Sequence, residues 1–140
     1  MRFRIFSTAV EQIAAHAARD HPREACGLLL GSGDRIDRAL AATNLAPEPE
    51  HSFEIDPVLL LRCHREARAG GPALIGWYHS HPNGGALPSA ADAARAVEAG
   101  KLWLIATDNG LRAFVSTPGG PIEGRFAAAT LIILPPGARE

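Results

Sequence analysis

Polar and apolar positions alternate over Arg2-Phe3-Arg4-Ile5-Phe6, which predicts a short strand with one buried face. The period then changes. Val10, Ile13, Ala14, Ala17 and Ala18 fall on one stripe, so a helix is expected from about Ala9 to Arg19. Thr8 would be its N-cap, with Glu11 completing a capping box. Asp20-His21-Pro22 stops the helix, because the residue before a proline resists helical angles. Within Arg23 to Gly33 the apolar run is short and bounded by glycines, which suits a buried strand. Ser32-Gly33-Asp34 turns the chain and Arg35 to Thr43 reads as the returning strand.

Asn44 to Glu50 holds two prolines and two acids and reads as a surface loop, followed by a brief strand over Ser52 to Ile55. Asp56-Pro57 pairs an N-cap with a proline at the first helical position, and the helix it starts should reach about Ala69 before Gly70-Gly71-Pro72. Ala73 to Ser80 is a strand, Ser89 to Ala99 a helix closed by Gly100, and Leu102 to Thr107 a continuous apolar strand. Asp108-Asn109-Gly110 turns into a strand over Leu111 to Ser116, and Pro118-Gly119-Gly120 is a further turn. Ile122 to Phe126 and Thr130 to Leu134 are late strands, with Pro135-Pro136 ending the order. Strands and helices in this order imply an α/β single domain over residues 1–140, a mixed sheet with flanking helices.

With 46% apolar and 21% charged residues, a chain of 140 can build its own core. A formal net charge of −1 provides no field for nucleic acid or an anionic membrane. The N-terminus lacks a signal-peptide core and no run spans a bilayer. The two cysteines, Cys26 and Cys63, are far apart and unpatterned, so a reduced, cytoplasmic setting is the expectation.

The chemistry concentrates in Gly76-Trp77-Tyr78-His79-Ser80-His81-Pro82 and the stretch up to Asp92. On a strand, His79 and His81 project from one face, and Pro82 leaves them at the strand end. Trp77 shares that face and is expected to floor the site. Two imidazoles there can bind zinc at roughly 2.0–2.1 Å. Asp92, one turn into the next helix, is the candidate third ligand. Two histidines, an aspartate and a water make the open, catalytic type of zinc site. Glu24 is the candidate base for the water, and Ser89 the candidate donor to a developing oxyanion.

The same residues also have structural readings. Ser89-Ala90-Ala91-Asp92 matches a capping box, and a carboxylate on zinc would be only partly free to cap. Glu24 could pair with Arg23, and Cys26 reads as a small buried apolar residue rather than a ligand. His16, His21, His51 and His64 show no ligand spacing. A zinc nucleobase deaminase needs His-x-Glu and Pro-Cys-x-x-Cys, and a zincin needs His-Glu-x-x-His; neither pattern occurs.

His79-Ser80-His81-Pro82, five residues, then Pro88-Ser89-Ala90-Ala91-Asp92 resembles the signature of the JAMM (MPN+) metallopeptidases, also called JAB-domain peptidases. Glu24-Ala25-Cys26-Gly27-Leu28-Leu29-Leu30-Gly31 is similar to that family's glutamate strand. The resemblance implies a JAMM/MPN (cytidine deaminase-like) architecture, with His79, His81 and Asp92 on Zn2+, Glu24 as general base and Ser89 as oxyanion helper. It implies cleavage after the C-terminal Gly-Gly of a ubiquitin-like or sulfur-carrier protein, as in the compact stand-alone prokaryotic members. The rival reading is a non-catalytic or latent MPN-type domain that binds a ubiquitin-like partner.

Overall fold

In the computed structural model, which describes residues 1–136, the alternating N-terminal segment forms β1 (Arg2–Phe6) and runs without a loop into α1 (Ser7–Asp20). A hairpin follows, β2 (Cys26–Ser32) and β3 (Arg35–Ala42), then α2 (Pro57–Arg68), β4 (Ala73–Ser80) and a short α3 (Ala90–Arg95). The chain ends with β5 (Leu102–Thr107), β6 (Gly110–Gly120), β7 (Gly124–Ala128) and β8 (Thr130–Leu134). The last four positions of the domain expected over 1–140 lie outside the described residues.

All eight strands join one mixed sheet in the order β7-β6-β5-β4-β2-β3-β1-β8. β1 is parallel to both β3 and β8, β4 is parallel to β5, and the other pairs are antiparallel. β7 and β8 stand at opposite ends of this order, yet only Ala129 separates them in the chain. The sheet must therefore curl. Ala129 bridges the curl by donating its N–H to the Ala113 carbonyl at 3.0 Å.

Each face carries its own core. On one, α1 lays Ala9 and Ile13 over Phe3, Ile5, Leu29, Ile36 and Leu104. On the other, Cys63 and Leu59 of α2 and Ala96 beyond α3 cover Leu28, Trp77, Trp103 and Phe126. β4 is buried from Leu74 to Ser80 because both faces are covered. Gly76 lets β5 come close, since a Cβ there would collide with the Leu102 carbonyl oxygen.

Several local expectations change. The expected box of Thr8 and Glu11 does not cap α1; the helix starts after Phe6, which has no side-chain cap bond. Pairing of Phe6 with Leu134 keeps Phe6 extended, so the helix begins where the sheet releases the chain. Asp56 caps α2 as expected, accepting from Val58 N. Residues 52–55 make an isolated Asn44–Ile55 bridge rather than a strand. α3 ends at Arg95, not Ala99. Ser116 Oγ donates to the Glu98 carbonyl at 2.6 Å and Gly100 N donates to the Ser116 carbonyl at 2.7 Å, which pulls the chain off the helix axis. β6 runs through the expected turn at Pro118-Gly119-Gly120 with an irregular register, and the reversal falls at Glu123 and Gly124, both at positive φ.

α1 is fastened to β4 by a buried polar chain. His16 Nδ1 lies 2.6 Å from Tyr78 Oη and its Nε2 lies 3.0 Å from Asp20 Oδ2. Burial, only partly offset by Asp20, holds the His16 pKa below the ordinary histidine value. A base with a lowered folded pKa stabilises the fold above its unfolded pKa, and that stability is lost as pH falls through the window below about 6.5. The unfolding free energy is therefore expected to fall more steeply from pH 7 to pH 5 in the native chain than in His16→Gln, measured by urea titration. Equal slopes would remove His16 as a source. Gly76→Ala is expected to cost about 1–3 kcal/mol through overpacking, and an unchanged urea midpoint would contradict that close approach.

Candidate metal centre

The site begins with strand register. β2 and β4 pair antiparallel with Cys26 opposite His79, so continuing the ladder sets Ala25 opposite Ser80 and Glu24 opposite His81. Ser80 secures this extension twice. Its N–H donates to the Ala25 carbonyl at 3.0 Å, and its Oγ accepts from Ala25 N at 2.8 Å. His81 N donates to the Ala106 carbonyl at 3.0 Å, so β5 holds the other side. His79 is fully buried, stacked on Phe53 at 4.4 Å and met edge-on by Trp103 at 5.9 Å.

The start of α3 supplies Asp92. Ser89 is the N-cap: its Oγ accepts from Asp92 N at 3.1 Å, and its N–H donates to Asp92 Oδ2 at 2.9 Å. Asp92 Oδ1 lies 3.1 Å from His79 Nε2, and Oδ2 lies 3.1 Å from His81 Nε2. The capping bond and the approach to the histidines thus coexist on one carboxylate. The cap aims the carboxylate. Glu24 completes the cluster; one ligand atom from each of Glu24, His79 and His81 lies within 4.8 Å of the others. All five residues singled out in the sequence meet here.

Burial and charge act on each group differently. Burial pushes Glu24 up to about 7, opposed by His81 and reinforced by Asp92. Burial lowers His79, and Asp92 offsets it only partly. At His81 burial also disfavours the charge, but Asp92 and the Gly85 carbonyl prevail and raise its pKa. Burial would raise Asp92, yet the bonds from both histidines and from Ser89 N hold it well below the usual carboxylate range.

Hydrogen-bond roles identify what the cluster is built for. His81 Nδ1 lies 2.7 Å from the Gly85 carbonyl, which only accepts, so Nδ1 carries the proton. In neutral His81 the Nε2 atom is then a bare lone pair. That lone pair faces a carboxylate oxygen at 3.1 Å and His79 Nε2 at 3.0 Å. Acceptors crowded this closely repel unless a positive charge joins them. Protons on both Nε2 atoms would serve the two carboxylate contacts but set N–H against N–H at 3.0 Å, whereas a metal cation serves all three. The fixed tautomer of His81 is the usual arrangement of a ligating histidine.

Two clefts meet at His81. A narrow one of about 250 Å³ contains Glu24, His51 and Ser89, and a wider one of about 760 Å³ runs between Ala14 and Ala17 of α1 and Leu131 of β8. Trp77 does not floor the site; it packs edge-on against Trp103, one ring removed from His79. Phe53, in a segment read as a brief strand, takes that place instead. Parity sends the Ser80 side chain away from the histidines, so the sequence pattern carries no signal for its bond to Ala25. Cys26 is buried, its thiol pushed up to about 12 by burial.

A curled mixed sheet that sets two strand-end histidines against a capped aspartate and a buried glutamate defines a JAB/MPN-type domain. The chain belongs to the prokaryotic homologs of the JAB domain, whose family model matches residues 7–117. It is 34% identical over 115 residues to a desampylase of Haloferax volcanii, covering 78% of this chain and 83% of the relative. It is 34% identical over 110 residues to a probable TtuB-protein conjugate cleaving protease of Thermus thermophilus, covering 79% and 73%. A CysO-cysteine peptidase of Mycobacterium tuberculosis is 36% identical over 91 residues, covering 64% and 62%. Among solved structures, a Desulfitobacterium hafniense protein superposes with a TM-score of 0.77 at 28% identity, covering 96% of this chain and 94% of the other. A JAB1/MPN domain protein of Archaeoglobus fulgidus shares the fold at TM-score 0.57 and 20% identity, covering 93% and 96%.

The purified chain is expected to hold one divalent transition-metal ion, counted by elemental analysis after dialysis. His79→Ala is expected to weaken binding beyond the roughly 10–100-fold typical of losing an outer-shell partner. His51→Ala is expected to leave metal content unchanged. Full metal in His79→Ala would reject the cluster as a ligand set.

Proposed function

We propose that this chain is a zinc-dependent peptidase, cleaving the bond after the C-terminal Gly-Gly of a ubiquitin-like or sulfur-carrier protein in the cytoplasm. The observation that carries the reading is the meeting of His79 Nε2, His81 Nε2 and the Asp92 carboxylate beside the buried Glu24. Two imidazoles and one carboxylate are a donor set that zinc accepts in sites with an open position.

When bound there, zinc supplies a Lewis acid and lowers the pKa of a water from 15.7 to about 7. The residues do the rest. Glu24, near 7 through burial, takes a proton from the attacking water and returns it to the leaving amine. Its Oε1 is buried with no hydrogen-bond partner, which leaves it available for that proton. Ser89 Oγ accepts from Asp92 N, so its own O–H is free to donate to the substrate carbonyl as negative charge develops. The cleft that contains Glu24, His81 and Ser89 gives a conjugate access to the site. A Gly-Gly tail suits such a passage, because glycine lets backbone approach closely.

The relatives' names favour conjugates as substrates: two are named for a protein conjugate or a carrier–cysteine bond. No helix among the described residues is long and apolar enough to cross a membrane, which is compatible with the cytoplasmic reading.

The test uses a ubiquitin-like protein whose Gly-Gly tail is extended by a fluorescent peptide. Glu24→Gln is expected to retain the metal and lower kcat by about 10²–10⁴-fold, the usual share of a general base. Cleavage surviving at full rate would reject Glu24 as base. Binding of the fusion without cleavage by the native chain would favour the latent-domain reading.

A further inference from the structure

Glu24 precedes β2 and has no strand partner for its own N–H and carbonyl, so something else must hold it. Its N–H donates to the Pro49 carbonyl at 2.7 Å. Its carbonyl accepts from Asn44 Nδ2 at 3.0 Å. Both partners belong to the segment between β3 and α2. That segment has no regular strand; its two arms meet through the Asn44–Ile55 bridge and a Leu45 N to Glu54 carbonyl bond at 2.9 Å.

Asn44 holds the segment together. Besides the Glu24 carbonyl, Nδ2 donates to the Ser52 carbonyl at 3.0 Å and lies 3.5 Å from the Pro49 carbonyl. Oδ1 accepts from Ala46 N and from Glu54 N, each at 3.0 Å. Two donors and two acceptor sites are the full capacity of an asparagine side chain, and all are used. One amide thus ties the Glu24 backbone to the loop that lines the cleft beside it and carries Phe53 beneath His79.

We propose that Asn44 is the positioning residue for Glu24: by holding the Glu24 carbonyl it sets where the carboxylate stands relative to His81. The proposal rests on the reading of Glu24 as general base. Aspartate has the same shape but cannot donate, so Asn44→Asp removes the bonds to Glu24 and Ser52 and turns acceptor against acceptor. Serine keeps one donor at this half-buried position, where water can replace the missing bonds. Misplacing a reacting group by about 1 Å costs up to about 100-fold in rate.

The experiment is a double-mutant cycle on the Gly-Gly-extended fluorescent fusion, with metal content and melting midpoint recorded for each protein. In the native background, Asn44→Asp is expected to lower kcat by about tenfold to 100-fold, with KM within about twofold and metal content unchanged. Asn44→Ser should fall between the two, and it carries the same readout should Asn44→Asp not fold. In the Glu24→Gln background neither substitution should lower kcat further, because the group being positioned is gone. An equal drop in both backgrounds would overturn the positioning role while leaving Glu24 as base. A rise in KM at constant kcat would also overturn it, assigning Asn44 to the substrate wall. Full activity in Glu24→Gln alone would instead remove the base reading on which the proposal stands.

Discussion

The packing of two imidazole nitrogens and a carboxylate at 3.0–3.1 Å is the constraint around which this molecule is arranged. His79 Nε2, His81 Nε2 and the Asp92 carboxylate face one another inside a site that is almost closed to water. Protons alone cannot satisfy all three contacts at once, and the low dielectric of the interior raises the cost of the one left unmet. The fold nevertheless aims them together. The Gly85 carbonyl fixes the proton of His81 on the far nitrogen, and the Ser89 cap turns Asp92 inward. The features that would be costly in a structural core are the ones that suit a metal.

The surrounding sheet explains how such an arrangement is kept in place. β4 lies between β2 and β5, and each neighbour holds one side of its end. Cys26 opposite His79 sets the register that carries Glu24 to His81, and Ser80 locks that register through two bonds to Ala25. A one-residue slip would turn the histidines to the α1 face. The aromatic layer of Phe53 and Trp103 keeps His79 fully buried and depresses its charged form, which leaves the neutral imidazole that metals bind. Glu24 is buried too, and the opposing charge of His81 offsets that burial only in part, so it stays near the range where a carboxyl can both take and give a proton.

Much of this was legible in the residues because it depends on short-range rules. Parity placed His79 and His81 together, the spacing of Ser89 and Asp92 marked a helix start, and the glycine-bounded run after Glu24 marked a strand. The α/β class followed from the order of elements, and it is the class found. What escaped depends on contacts far apart in the chain. The insertion of β1 between β3 and β8 follows from pairings no local pattern contains. The early end of α3 follows from Ser116, some twenty residues beyond it. Phe53 and Asn44 sit in a segment with no periodicity, so nothing nearby indicated that one supports His79 and the other holds Glu24. The sharing of one Asp92 oxygen between the Ser89 cap and His81 also lies beyond what the spacing of Ser89 and Asp92 shows.

The most direct test of this account is anomalous diffraction at the zinc absorption edge, from crystals of the chain grown with zinc. The expected result is one strong peak between His79 Nε2, His81 Nε2 and the Asp92 carboxylate, with Glu24 beside it. A peak at another group of residues, or none at saturating zinc, would contradict the claim that these three groups are gathered for a cation.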